Sequence, residues 1–159
     1  MKAGARIAAA IEVLDAILGR HQPVATALTD WGKAHRFAGS GDRNAIGGIV
    51  YDALRKRASI AFAFGDNSPR ALALGAAAAA LAMTPDEVIA ACDGQNHAPD
   101  PLSEAEQAGL GKSLDGAPDH VRANIPEWLW ADFTKTFGAA AVAEGQAMAE
   151  RAPADIRVN

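Results

Sequence analysis

The stretch DRNAIGGIVYDALRKR, Asp42 to Arg57, carries residue types that handle phosphate. On a helix, Arg43, Tyr51 and Arg55 stand at multiples of four and share one side, opposite an apolar stripe. Lys56 and Arg57 add charge at the far end, and Lys33, His35 and Arg36 come from the segment just before. Guanidinium groups grip phosphate oxygens in pairs, and a tyrosine ring stacks on an unpaired base, so the set suits RNA. The plainer alternative is a solvated helix face, with Asp52 and Lys56 paired one turn apart. Gly47 and Gly48 also fall inside this helix, where each costs on the order of 1 kcal/mol against alanine. Either a neighbouring helix approaches closely there, or a phosphate backbone does.

Other chemistry is thinner. Cys92, His97 and Asp100 lie near one loop and offer a nucleophile, a base and an orienting carboxylate. Nothing beside them supplies an oxyanion hole or lowers the thiol pKa, so Cys92 reads as a small, partly buried hydrophobe. Cys92 and His97 have no second ligand pair, and His21, His35 and His120 are scattered, so the spacing gives no metal set. The GSG at 39–41 precedes a helix but follows no strand, which excludes a dinucleotide fingerprint.

The elements that must position these residues are helical. Apolar side chains at Ile7, Ile11, Leu14, Ile17 and Leu18 give the first amphipathic helix. Pro23 opens a second, with Val24, Leu28 and Trp31 on one side. The third reads as the longest, with Asp42 as its N-cap and a buried stripe running from Ile46 to Phe64. Ser68-Pro69 starts an all-apolar helix that belongs at the centre, and its small residues from Gly75 to Ala80 admit close neighbours. Thr84/Glu87 and Ser103/Glu106 have capping-box spacing and open two short helices. Residues 93–101 and 111–120 read as loops. Pro126 begins a helix with Leu129, Trp130, Phe133 and Phe137 inward and Gly138 as its stop, and 139–150 forms a last one. Pro153 then ends the helical pattern, and Ile156 to Asn159 read as the start of a strand. The fold class is all-α, an irregular bundle of about seven or eight helices with an extended C-terminal tail.

Composition agrees with this. Half of the 159 residues are apolar but only 6% are aromatic, and much of the apolar content is alanine. That favours close-packed helices over a sheet. The longest uncharged run, between Arg70 and Asp86, is shorter than the ~20 residues of a membrane span. A single cysteine excludes an internal disulfide and fits a reducing, cytoplasmic setting. The net charge of −4 is divided unevenly. Residues 1–70 hold ten basic and six acidic side chains, and the remainder five and thirteen. One face suited to an anionic partner follows, although an acidic half is also a solubility device.

Two stretches carry a resemblance. DRNAIGGIVYDALRKR resembles the helix that marks the NusB-like N-terminal domain of bacterial Sun/RsmB-type ribosomal RNA cytosine-5 methyltransferases. IPEWLWADFTKTFG…AMAERAPADIRVN resembles the segment joining that domain to the catalytic part. Pro126, Trp128, Leu129, Phe137, Gly138, Pro153, Arg157, Val158 and Asn159 occupy the recurring positions. The resemblance runs from Ala5 to Asn159, with the middle, 71–124, matching only in helical character. It implies a NusB-like RNA-binding domain over 1–124, and over 125–159 a helical linker and first strand leading to a methyltransferase region beyond this chain. The family's glycine-rich S-adenosylmethionine loop and its cysteines after Pro or Thr do not occur here, and Cys92 follows Ala91. No catalytic residue carries over, and S-adenosylmethionine belongs to the parent enzyme. The implied RNA contacts are Arg36, Arg43, Tyr51, Arg55, Lys56 and Arg57; the implied partners are ribosomal RNA and the protein's own catalytic domain, with no membrane. The first stretch alone equally resembles a NusB-type antitermination factor, which would make the domain a protein-interaction module.

Overall fold

Small side chains set how closely the helices of this protein approach. The computed structural model describes residues 1–152, and among them every regular element is helical. Helices α1 (Ala3–Arg20), α3 (Ser40–Arg55) and α5 (Pro69–Ala80) pack against one another and form the main core. Ile7 and Leu14 from the first, Ile46, Ile49 and Val50 from the second, and Leu72 and Leu74 from the third are all fully buried. Each such side chain contributes about 1.5–3 kcal/mol relative to exposure. The central helix is α5, as its all-apolar composition predicts, with Ser68 capping the Ala71 amide and Pro69 in its first turn.

The remaining helices dress this core. Helix α2 (Val24–Ala34) lies on α1, where the Trp31 indole N–H donates to Glu12 Oε2 at 2.9 Å. Helices α6 (Pro85–Ala91) and α7 (Glu104–Leu110) begin with the two expected capping boxes, at Thr84/Glu87 and Ser103/Glu106. Arg70 ties α5 to α7, donating to Glu106 Oε1 at 2.6 Å and to the Asp100 carbonyl at 2.9 Å. A second, smaller core gathers Ala123, Ile125, Phe133 and Ala141. It joins α8 (Asp119–Arg122), α9 (Glu127–Phe137), a 3-10 turn (Gly138–Ala140) and α10 (Ala141–Ala149). Gly145 seats α10 on the chain after α8, since a Cβ there would lie 2.6 Å from the Ala123 carbonyl oxygen.

Four expectations are corrected. The helix foreseen from Asp42 to Phe64 is two, because α3 stops at Arg55 and α4 spans Arg57–Phe64. Asn124 is the cause: its Oδ1 accepts the Ser59 backbone N–H at 3.0 Å. A side chain inserted into the backbone ladder breaks a helix, and Lys56 at the joint leaves helical geometry (φ −105°, ψ 21°). The longest helix is therefore α1, with 18 residues. Asp42 is not the N-cap, a position that falls to Gly39. Its carboxylate instead receives the Met1 ammonium at 3.0 Å and Arg6 Nη2 at 2.8 Å, and these cations hold its pKa below the ordinary carboxylate range. Phe137 does not turn fully inward: its ring lies 4.6 Å from that of Phe133, but 39% of the residue is exposed. Finally, α8 begins at Asp119, inside the loop expected over 111–120. The strand foreseen over Ile156 to Asn159 lies outside the described residues.

Candidate nucleic-acid interface

Helical periodicity brings Arg43, Tyr51 and Arg55 to one side of α3, and Lys56 joins them at its end. All four line one groove of about 850 Å³. Its far wall is the small-residue end of α5, Ala79 and Ala80, with Leu28 of α2 at one end and Glu150 and Arg151 after α10 at the other. Tyr51, on the groove wall, is 42% exposed.

The floor between these walls is Gly47 and Gly48. A Cβ added at Gly47 would come no nearer than 4.0 Å to Leu28 Cδ1, and one at Gly48 no nearer than 4.0 Å to the Ala80 Cβ. Close helix packing therefore does not require either glycine. The contrast with glycines that packing does require is sharp. At Gly4 a Cβ would overlap the Ala91 carbonyl, and at Gly109 it would sit 2.9 Å from the Phe64 ring. Of the two explanations for a glycine pair inside α3, close approach of a neighbouring helix is removed. Both glycines line the groove, with room above them for a side chain.

The cations of the groove are not equivalent. Arg43 is committed to the fold: Nε donates to the Ala38 carbonyl at 2.9 Å and Nη2 to the Gly32 carbonyl at 2.8 Å, closing the C-terminal end of α2. Arg55 pairs with Asp52, yet its Nε is buried with no partner among the described residues. A buried donor left unpaired costs about 1–3 kcal/mol, and this one is closed off from the groove. Lys56 does not pair with Asp52, as the helix-face reading had it. Its Nζ meets Glu150 Oε1 at 2.8 Å, and the Glu150 carboxyl is held below its ordinary pKa chiefly by that hydrogen bond. Arg151 adds a fourth positive charge that sequence reasoning missed, because α10 reaches the groove only through the packing of the small second core.

Two expected contacts lie elsewhere. Arg36 is exposed on the loop between α2 and α3, outside the groove wall but only two residues from Ala38, which Arg43 holds. Beside it Phe37 is exposed, and its ring meets His35 edge-on, which itself stacks on Trp31 at 4.3 Å. Arg57 falls past the break at Lys56 and turns to Asn67, donating from Nε to Oδ1 at 2.8 Å.

The Cys92 reading also meets its geometry. The thiol is buried at the end of α6, and burial pushes its pKa up, the reverse of what a nucleophile needs. His97 and Asp100 are exposed and make no side-chain hydrogen bond to it among the described residues. No cluster of three metal-ligating side chains occurs among the described residues. Among the described residues no strand leads into a glycine-rich turn. Among the described residues no helix is long and apolar enough to cross a membrane. No family model, curated protein or solved structure matches the chain.

Proposed function

We propose that this protein is a non-catalytic RNA-binding domain, serving an S-adenosylmethionine-dependent ribosomal RNA cytosine-5 methyltransferase by positioning its RNA. The observation that carries the RNA reading is the bare glycine floor of a cationic groove with an exposed tyrosine on its wall. Phosphate binding needs close approach to positive charge, and base stacking needs an open aromatic face. Arg55, Lys56 and Arg151 supply the charge and Tyr51 the face, while Arg43 shapes the groove's edge. The methyltransferase context rests on the resemblance of the Asp42–Arg57 and Ile125–Asn159 stretches alone. Methyl transfer itself would belong to a catalytic region beyond this chain. Filter binding of ribosomal RNA fragments at low salt tests the RNA reading: Tyr51→Ala should weaken binding by about 1–3 kcal/mol and Tyr51→Phe should not. Equal affinity of all three proteins would remove Tyr51 from the interface.

A second reading, a protein-interaction module of the NusB type, has one observation in its favour. Trp128 on α9 is 81% exposed, and Met148 on α10 is 65% exposed. Exposed large apolar residues are what partner surfaces present. A protein partner retained by the domain after nuclease treatment, and lost with Trp128→Ala, would favour this reading over RNA binding.

A further inference from the structure

Phe37, on the short loop between α2 and α3, holds its ring in solvent although the chain on both sides of it is tied down. The residue is 74% exposed. Ala38, the next residue, is buried; its N–H donates to the His35 carbonyl at 3.0 Å, and its own carbonyl receives Arg43 Nε at 2.9 Å. Before it, the His35 ring stacks on Trp31 with centroids 4.3 Å apart, and His35 Nδ1 donates to the Trp31 carbonyl at 2.9 Å. The Phe37 ring meets that of His35 at 86°, with centroids 5.7 Å apart. We propose that Phe37 is a stacking platform for an unpaired base of the RNA strand whose phosphates occupy the groove on α3. The inference rests on the RNA-binding reading of that groove.

Charge, surroundings and place favour a nucleobase as the occupant. The stretch from Trp31 to Gly41 holds Lys33, His35 and Arg36 and no carboxylate. Arg36 is exposed beside Phe37, and Lys33 meets Asp30 only loosely, at 3.7 Å. Asp42, the next acid along the chain, is already held by the Met1 ammonium and Arg6. A polyanion is therefore drawn to the place where the ring stands. The other exposed residues of this loop, Arg36, Gly39 and Ser40, are small or charged, so the loop offers one planar ring and not the contiguous apolar patch that a protein partner covers. An exposed ring among cations is the arrangement that binds single-stranded nucleic acid, phosphates on the charges and a base on the ring. Arg43 supplies the place: it lines the groove and binds the Ala38 carbonyl, so a base on Phe37 and phosphates along α3 lie on one path. From Arg43 to Arg55 that path rises about 18 Å, long enough for several nucleotides. Every base has a π-face, so the platform selects unpaired over paired RNA and not one base over another.

The test measures the affinity of the full chain, at low salt, for a single-stranded RNA of roughly ten nucleotides and for an RNA duplex of the same length. Phe37→Ala should weaken binding of the single strand about five- to 150-fold and leave duplex affinity unchanged. Phe37→Trp should bind the single strand as the wild type does, and Phe37→Leu, apolar but without a π-face, should bind it as weakly as Phe37→Ala. Replacing so exposed a side chain should leave the fold intact, as circular dichroism would show. A Phe37→Ala chain that binds the single strand as tightly as wild type, while Arg55→Ala with Lys56→Ala weakens it, would overturn the platform and leave the RNA reading standing. Wild-type affinity in Phe37→Leu would overturn it too, as would equal losses for single strand and duplex. Binding to anionic phospholipid vesicles that Phe37→Ala abolishes, with RNA affinity unchanged, would assign the ring to a membrane surface instead. No binding of either RNA by the wild type would overturn both readings.

Discussion

Replacing Gly47 and Gly48 together by alanine separates the two explanations for a glycine pair in a helix. Both positions lie inside α3, and each added Cβ finds its nearest neighbour at 4.0 Å, an ordinary contact. No clash opposes the change, so helix propensity decides its sign. Each replacement should stabilise by about 0.8–1.0 kcal/mol. Together they should raise the Tm by roughly 3–8 °C for a chain of this size, read by thermal unfolding followed by circular dichroism. Gly145→Ala is the control of opposite sign, since its Cβ would lie 2.6 Å from the Ala123 carbonyl oxygen and overpacking of that kind costs about 1–3 kcal/mol. The same double variant should bind RNA about tenfold more weakly, because two methyl groups now stand where a phosphate must come close. A lower Tm would mean that packing does require these glycines. A higher Tm with unchanged RNA affinity would mean the bare floor serves no ligand, and the functional argument built on it would fail.

Glu150→Gln should release Lys56 and tighten RNA binding several-fold at low salt, because the Glu150 carboxylate competes with phosphate for Nζ; unchanged affinity would exclude Lys56 as a phosphate contact. Glu106→Gln should destabilise the fold by about 1–3 kcal/mol at neutral pH, by weakening the hydrogen bonds from Arg70. The Glu106 pKa is lowered in the fold, chiefly by Arg70, so its contribution is complete above about pH 4.3 and disappears as pH falls through the folded value. The stability gap between wild type and variant, measured by urea unfolding, should therefore close in acid; a gap that persists there would show that the ion pair is not its source. Cys92 should stay unreactive toward a thiol reagent at pH 8 until the chain is unfolded, and rapid modification of the folded protein would contradict its burial.

How much of this was legible in the sequence depends on how local each cause is. Capping boxes at Thr84/Glu87 and Ser103/Glu106, the Ser68-Pro69 start and the Gly138 stop are decided within a few residues, and all of them read correctly. The break at Lys56 is not local. It depends on a side chain 65 positions from Ser59, and no pattern around residue 56 announces it. The same distance effect divides the site. Arg43, Tyr51, Arg55 and Lys56 follow from the period of one helix. Arg57 is adjacent in sequence yet falls into a different depression, because the helix ends between them. Glu150 and Arg151 arrive through a packing contact that only the folded chain reveals. Ion pairs were the least legible: Asp42, read as a cap, proves to be an anchor for Met1 and Arg6. A short carboxylate near a helix start suits either role, and only the position of α1 decides between them.

The central claim, that the groove on α3 holds RNA phosphates, is tested most directly by the salt dependence of binding to a ribosomal RNA fragment. For single-stranded RNA, each phosphate contact adds about 0.7 to the slope of log affinity against log salt. Arg55→Ala with Lys56→Ala should therefore weaken binding at low salt and reduce that slope by about 1.4. Absent binding at low salt, or a slope the double variant leaves unchanged, would contradict the account.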